Sequence, residues 1–265
     1  MIEIKSNDRK RNLHTLLFLL MACMLTASVM IKIIDYQASK QVATLSLRDT
    51  APPSGEPLFL VKSSPYVRYL RSAVAIDYDG KNWELRKVSA VYEYLSGTSD
   101  TVELISPDPN ELSRSYRDYN RDVLNELSIL DDPRYLHLPD NITDRLEELS
   151  LGITEGMPTP FEKAKAIETY LQVRFDYNLD YIPAPSKWEP NDWFLFETKE
   201  GICGNFNSAF VILARASGIP SRLAAGYYLL PSDGDQDAVY ASQAHAWAEV
   251  GFDGIGWVAF EATPP

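Results

Sequence analysis

A chain of 265 residues that is 45% hydrophobic and 23% charged has the make-up of a folded protein and the length of one large or two small domains, which excludes a disordered chain. Its net charge of −12 is unevenly spread: five basic against two acidic residues give residues 1–34 a net +3, leaving −15 on the rest. A body that acidic repels phosphate backbones, so nucleic acid is excluded as a partner.

The apolar stretch from Leu13 to Ile31 carries no formal charge apart from His14. Its length suits one helical crossing of a hydrocarbon core of about 30 Å. Lys5, Arg9, Lys10 and Arg11 precede it, which by the positive-inside rule predicts a cytoplasmic N-terminus and an extracytoplasmic body. A cleaved signal peptide is the alternative, because residues 20–23 loosely resemble a lipoprotein processing site. However, apolar sequence continues to Ile34, beyond the roughly 7–15 residues of a signal-peptide core, which favours an uncleaved single-pass transmembrane helix. Residues 1–34 are therefore read as cytoplasmic tip and membrane anchor, and the polar residues 35–57, ending in a Pro-rich run from Ala51 to Pro57, as a linker.

Residues 58–138 form a predicted β-rich region with a helical connection. Strands are expected over Val67 to Tyr78 and Val88 to Tyr94, a turn at Asp79 and Gly80, and a helix near Arg121 to Leu130. The catalytic domain is expected over 139–265. Helical spacing runs from Ile142 to Glu155 with Gly156 as its stop. Thr159, Pro160 and Glu162 open a second helix, on which Phe161, Ala164, Ile167, Tyr170 and Leu171 share a face. Residues 175–200, rich in Pro and Trp, read as a long surface connection of the kind that borders functional sites. A third helix is predicted over Phe206 to Ala216, then strands over Leu223 to Leu230, Ala244 to Val250 and Trp257 to Glu261. The fold class is α+β, with a helix followed by an antiparallel sheet.

With Cys23 in the anchor and Cys203 in the body, the two cysteines cannot pair within one fold, and no four-thiol zinc site is available. Cys203 precedes the third helix, at the positive end of its dipole. Thiols placed there beside a histidine titrate at roughly 3.5–7.5, against about 8.5 for a free thiol. A lone cysteine is more often a small buried hydrophobe, so its partners decide. Strand alternation puts His245, Trp247 and Glu249 on one face, with alanines flanking His245. A hairpin centred on Asp253 would set His245 directly opposite Glu261, with Cβ atoms about 4.5–5.5 Å apart. A slip of two residues would leave them diagonal neighbours, and a slip of one would separate them onto opposite faces. The bland reading of Glu261 is a solvent-facing carboxylate. Asp233, Asp235 and Asp237 resemble the start of a calcium loop, but Ala238 stands where Gly is needed and Ala244 where the bidentate Glu is needed. That run reads as a solvated loop, and neither a metal nor a cofactor is expected.

The runs 201–206, 215–222, 244–250 and 257–264 resemble the transglutaminase-like superfamily in order and spacing, over about residues 140–265. The chain is most similar there to prokaryotic membrane-anchored members, whose β-rich segment resembles residues 78–83. The resemblance implies a papain-like α+β core in which the Cys helix packs on an antiparallel sheet. It also implies a catalytic triad of Cys203 as nucleophile, His245 as base and then acid, and Glu261 as orienting carboxylate. The oxyanion would be received by the backbone N–H of Cys203; Trp193 is one example of a side-chain donor, not an assignment. Two residues depart from the pattern: Glu261 stands where Asp is commonest, and Asn207 where Ala is usual.

Attack of such a thiolate on an amide gives a thioester. Hydrolysis by a protease, amidase or deamidase is the favoured outcome, acting on a protein or peptide substrate of the cell envelope. Protein-glutamine cross-linking through a lysine amine is the alternative. A catalytically silent surface-binding domain is the reading from another class, but a binding module needs none of the three residue types.

Overall fold

The computed structural model describes residues 56–62, 68–97, 102–108, 111–229 and 235–265. The expected anchor and most of the linker lie outside these, as does Asp233. Among the described residues, no helix is long and apolar enough to cross a membrane.

Strands occupy Phe59–Lys62 (β1), Tyr69–Tyr78 (β2), Trp83–Lys87 (β3), Leu104–Ile105 (β4), Leu112–Ser115 (β5), Asp176–Tyr177 (β6), Glu200–Gly201 (β7), Ser221–Tyr228 (β8), Gln236–Val239 (β9), Ala244–Phe252 (β10) and Gly256–Phe260 (β11). Helices occupy Tyr92–Leu95 (α1), Arg121–Glu126 (α2), Asp144–Thr154 (α3), Pro160–Arg174 (α4), Pro190–Asp192 (α5) and Cys203–Ala216 (α6). The strand expected over Val88 to Tyr94 is instead a turn followed by α1, and the strand falls earlier, on β3. There Ser89 Oγ accepts from the Val91 N–H at 3.2 Å, a local bond that competes with strand pairing. The helix expected from Phe206 starts at Cys203 itself, because Asn205 Oδ1 reaches back to accept the Ile202 N–H at 3.0 Å and closes the first turn.

The main sheet runs β3-β2-β5-β11-β10-β8, and β2 pairs with β8 as well. Strands β2, β5, β11, β10 and β8 therefore form a closed ring. The sheet is mixed and not purely antiparallel: β11 and β5 run parallel, with Val258 against Arg114. Strands β2 and β5, from the segment read as the β-rich region, thus bond directly to strands of the segment that follows. Tyr69, Ala224, Trp247 and Ala259 cluster from four different strands of the ring, which places them in its interior. Gly226 permits the closure. A Cβ on it would lie 1.9 Å from the Leu70 carbonyl oxygen, so only glycine lets β2 come so near β8.

Helix α6 packs on β10 and β8, with α3 and α4 against its other sides. Residues 204–215 are all buried, so the helix has no polar outer face and forms the centre of the core. Its neighbour α4 begins as the sequence implies: Pro160 is the first helical residue and Thr159 Oγ1 accepts the Glu162 N–H at 3.2 Å. The 175–200 connection contains regular elements of its own. It carries β6, α5 and a π-helical turn over Trp193–Thr198, ended by Lys199 in the left-handed region at φ 57°. From there the chain enters β7, which pairs with β6 and delivers Cys203 to the start of α6.

Candidate active site

Cys203 is the first helical residue of α6 and is partly exposed. First-turn N–H groups have no partner within their helix, so the Cys203 N–H is free of intrahelical bonding and suits an oxyanion. Trp193 does not fit the donor role, because its indole N–H is committed to the Ile182 carbonyl at 3.2 Å.

His245 Nε2 lies 2.6 Å from Glu261 Oε2, and Cys203 is brought beside the strand of His245 by Asn207, whose Nδ2 donates to the carbonyls of both Cys203 and Ala246. A carboxylate only accepts, so Nε2 carries the proton, and Nδ1 is the nitrogen left for the sulfur. The expected register is corrected by two residues. Strands β10 and β11 pair Phe252 with Gly256 and Ala248 with Phe260, so the hairpin centres on Gly254. Gly254 and Gly256 both adopt positive φ, 79° and 78°, which lengthens the turn to three residues. His245 and Glu261 are therefore diagonal neighbours, not directly opposed. Because the slip is even, they keep the same face.

Burial pulls the His245 imidazolium down, but the Glu261 carboxylate, Cys203 and the hydrogen bond to Glu261 outweigh it and hold the ring's pKa well above its usual value. For Glu261, burial pushes upward and is overcome by His245 and by bonds from Thr263 and Asn207, so the carboxyl titrates below its ordinary range. Glu261 Oε1 accepts the Thr263 N–H at 3.0 Å and Asn207 Nδ2 at 3.1 Å. The Tyr69 hydroxyl donates to Oε2 at 3.4 Å. Helix α4 grips the backbone of Glu261: Glu168 Oε1 accepts its N–H at 3.0 Å, and Gln172 Nε2 donates to its carbonyl at 2.6 Å. Tyr177 on β6 pairs with Gly201, two residues before Cys203. Burial, then the charges of Cys203 and Glu261, raise its phenol pKa.

Several of these residues were not singled out from the sequence. Glu168 left a signal, since it shares the apolar stripe of α4 with Phe161, Ala164 and Leu171 and is fully buried. Tyr69 left none, standing 192 residues from Glu261. Glu249, on the same face as His245, lies deeper in the ring. Arg71 holds it at 2.6 Å and Arg222 at 2.7 Å, with bonds from Ser113 and Trp247.

A family model described as the transglutaminase-like superfamily matches residues 147–262. That segment belongs to the transglutaminase-like superfamily. Over 138 residues the chain is 39% identical to the uncharacterised protein YebA of Bacillus subtilis (strain 168), a match covering 49% of this chain and 19% of that protein. Over 134 residues it is 32% identical to a protein-glutamine gamma-glutamyltransferase of Pseudomonas aeruginosa, covering 49% of this chain and 20% of the relative. The chain thus spans about a fifth of the length of these curated relatives. The fold is similar to the crystal structure of the periplasmic domain of TgpA from Pseudomonas aeruginosa, with a TM-score of 0.54 and 19% identity over 79% of this chain and 88% of that one. The transglutaminase-like core here is α+β, with its Cys-bearing helix packed against a mixed sheet.

Proposed function

We propose that this protein is an extracytoplasmic thiol acyltransferase of protein-glutamine transglutaminase type, with Cys203 as nucleophile, His245 as base and acid, and Glu261 as the carboxylate that orients His245. The observation that carries this reading is the 2.6 Å contact between His245 and Glu261, with Cys203 held next to the strand of His245 by Asn207. In the first step the Cys203 thiol passes its proton to His245 Nδ1 and the sulfur attacks the γ-carboxamide carbon of a glutamine side chain, with the oxyanion received by the Cys203 N–H. The C–N bond breaks, His245 gives its Nδ1 proton to the departing ammonia, and a thioester remains. In the second step a primary amine attacks the thioester, loses a proton to His245, and expels the thiolate, leaving an isopeptide bond.

The sequence alone favours water as the acceptor. The name of the Pseudomonas relative supports an amine instead, and hydrolysis becomes the side reaction that runs when no amine is present. The periplasmic domain that shares this fold supports an extracytoplasmic body, as does the basic tip before the apolar stretch at 13–31. Protease added to spheroplasts should then digest the body while the membrane is intact; a protected body would reverse the topology.

The deciding experiment is mass spectrometry of glutamine-containing peptides incubated with the protein, with and without a primary amine. Amine incorporation with loss of ammonia, absent in Cys203→Ala, is expected. Backbone cuts, or deamidation that added amine does not divert, would replace the transferase reading with the hydrolase.

A further inference from the structure

We infer that Asn207 is a positioning residue: its buried carboxamide holds Cys203, His245 and Glu261 in mutual register by bridging the fork where the chain after β11 leaves β10. Asn207 lies one helical turn after Cys203 and is fully buried. Its Oδ1 accepts the Ala248 N–H at 3.2 Å and the Ala262 N–H at 3.1 Å. Backbone N–H groups only donate, so these two contacts fix which way the amide points. Nδ2 then faces acceptors alone: the Ala246 carbonyl at 2.9 Å, the Cys203 carbonyl at 3.0 Å, Glu261 Oε1 at 3.1 Å and Thr263 Oγ1 at 3.2 Å. Two protons serve these four acceptors.

The place of the side chain in the sheet explains its importance. Continued by two residues, the β10–β11 register would set Ala246 against Ala262 and Glu261 against Trp247. The strand ends at Phe260 instead, and both the Ala246 carbonyl and the Ala262 N–H terminate on Asn207. The carboxamide thus completes a ladder that has opened, and the opening lets Glu261 swing from Trp247 to His245. Alanine, the usual residue here in the resembling family, has no polar atom with which to do this.

The inference rests on the reading of Cys203 and His245 as a working pair, and the experiment separates the two. The full chain, its His245→Ala variant and its Asn207→Ala variant are alkylated with iodoacetamide from pH 5 to 9. The Cys203-bearing peptide is followed by mass spectrometry, and folding by circular dichroism. If the parent and His245→Ala profiles coincide, the paired-thiol reading fails. If they differ, Asn207→Ala is expected to lose about ten-fold in rate near pH 6 while folded, and the same substitution in the His245→Ala background to change the rate less than about two-fold. An Asn207→Ala profile equal to the parent, or an equal loss in both backgrounds, overturns the positioning role. Should Asn207→Ala not fold, the near-isosteric Asn207→Asp carries the test, since it keeps the two acceptor contacts and loses the amide donor to Glu261. Failure of both variants to fold would assign Asn207 to stability alone.

Discussion

Glu249 and Glu261 both face the ring interior through the hairpin, yet they are embedded in opposite ways. Glu249 is fully buried and held by two guanidiniums, a hydroxyl and an indole N–H. Burial pushes its carboxyl up, but Arg222 and Arg71 more than offset this and bring it down to about 2. Glu261 is 21% exposed at its side chain, and its charged partner is an imidazole, a group that can release its proton. A carboxylate matched by permanent cations fixes structure, whereas one matched by a titratable ring supports chemistry. Along one face of β10, Glu249 stands four positions from His245, whose ring Glu261 meets, so the two carboxylates lie near each other in contrasting charge environments.

Breaking the Glu249 assembly should have the largest effect. Glu249→Ala leaves two buried guanidiniums without their counter-charge and is expected to cost about 3–5 kcal/mol of stability, read by urea denaturation. Its pH signature sharpens the contrast. A depressed carboxyl contributes stability that is present above its unfolded pKa of 4.5 and lost as pH falls through about 2. Melting temperature of the parent should therefore fall across that window, and that component should be missing in Glu249→Gln. His245 works in the opposite sense: its raised pKa contributes stability that is full below 6.5 and lost as pH rises through the folded value.

Glu261→Gln comes next, with the fold retained and turnover lowered by a factor on the order of 10–10³, since an amide can present the wrong hydrogen-bonding group to the imidazole. Glu261→Asp should retain more activity than Glu261→Gln; equal rates for all three would make Glu261 a bystander. Gly226→Ala, by forcing a Cβ against the Leu70 carbonyl, should destabilise the ring by about 1–3 kcal/mol. Tyr69→Phe should be mildest, at about 0.5–1.5 kcal/mol or a few-fold in rate, as it removes one long hydrogen bond to Glu261.

What could be read from the sequence was local or periodic. The Thr159, Pro160 and Glu162 helix start is a short-range capping signal and appears as expected. The shared face of His245 and Glu261 survived a wrong register because strand parity tolerates an even slip. The turn itself was misjudged, since Asp253 and Gly254 suggest a tighter loop than the one Gly256 makes by also taking positive φ. Contacts between distant segments left no comparable trace. Nothing near Tyr69 announces Glu261, and Arg71 reads as an ordinary strand arginine until Glu249 is seen beside it. Asn207 was visible as a departure from a pattern, but its role depends on where a strand stops, which spacing does not encode.

Closure of the ring through β2 and β8 also sets an order of assembly. Ser72 bonds the carbonyl of Ala225, 153 residues later, so β2 is synthesised long before the edge it pairs with on that side exists. Until then Leu70, Val74 and Ala75, all buried in the finished molecule, are held by no neighbour there. Such long-range closure is slow, and an unpaired apolar strand invites association with other chains while it waits. A nascent chain therefore has Tyr69 but not yet the carboxylate that Tyr69 meets, and the site is complete only once the chain has been made through Glu261.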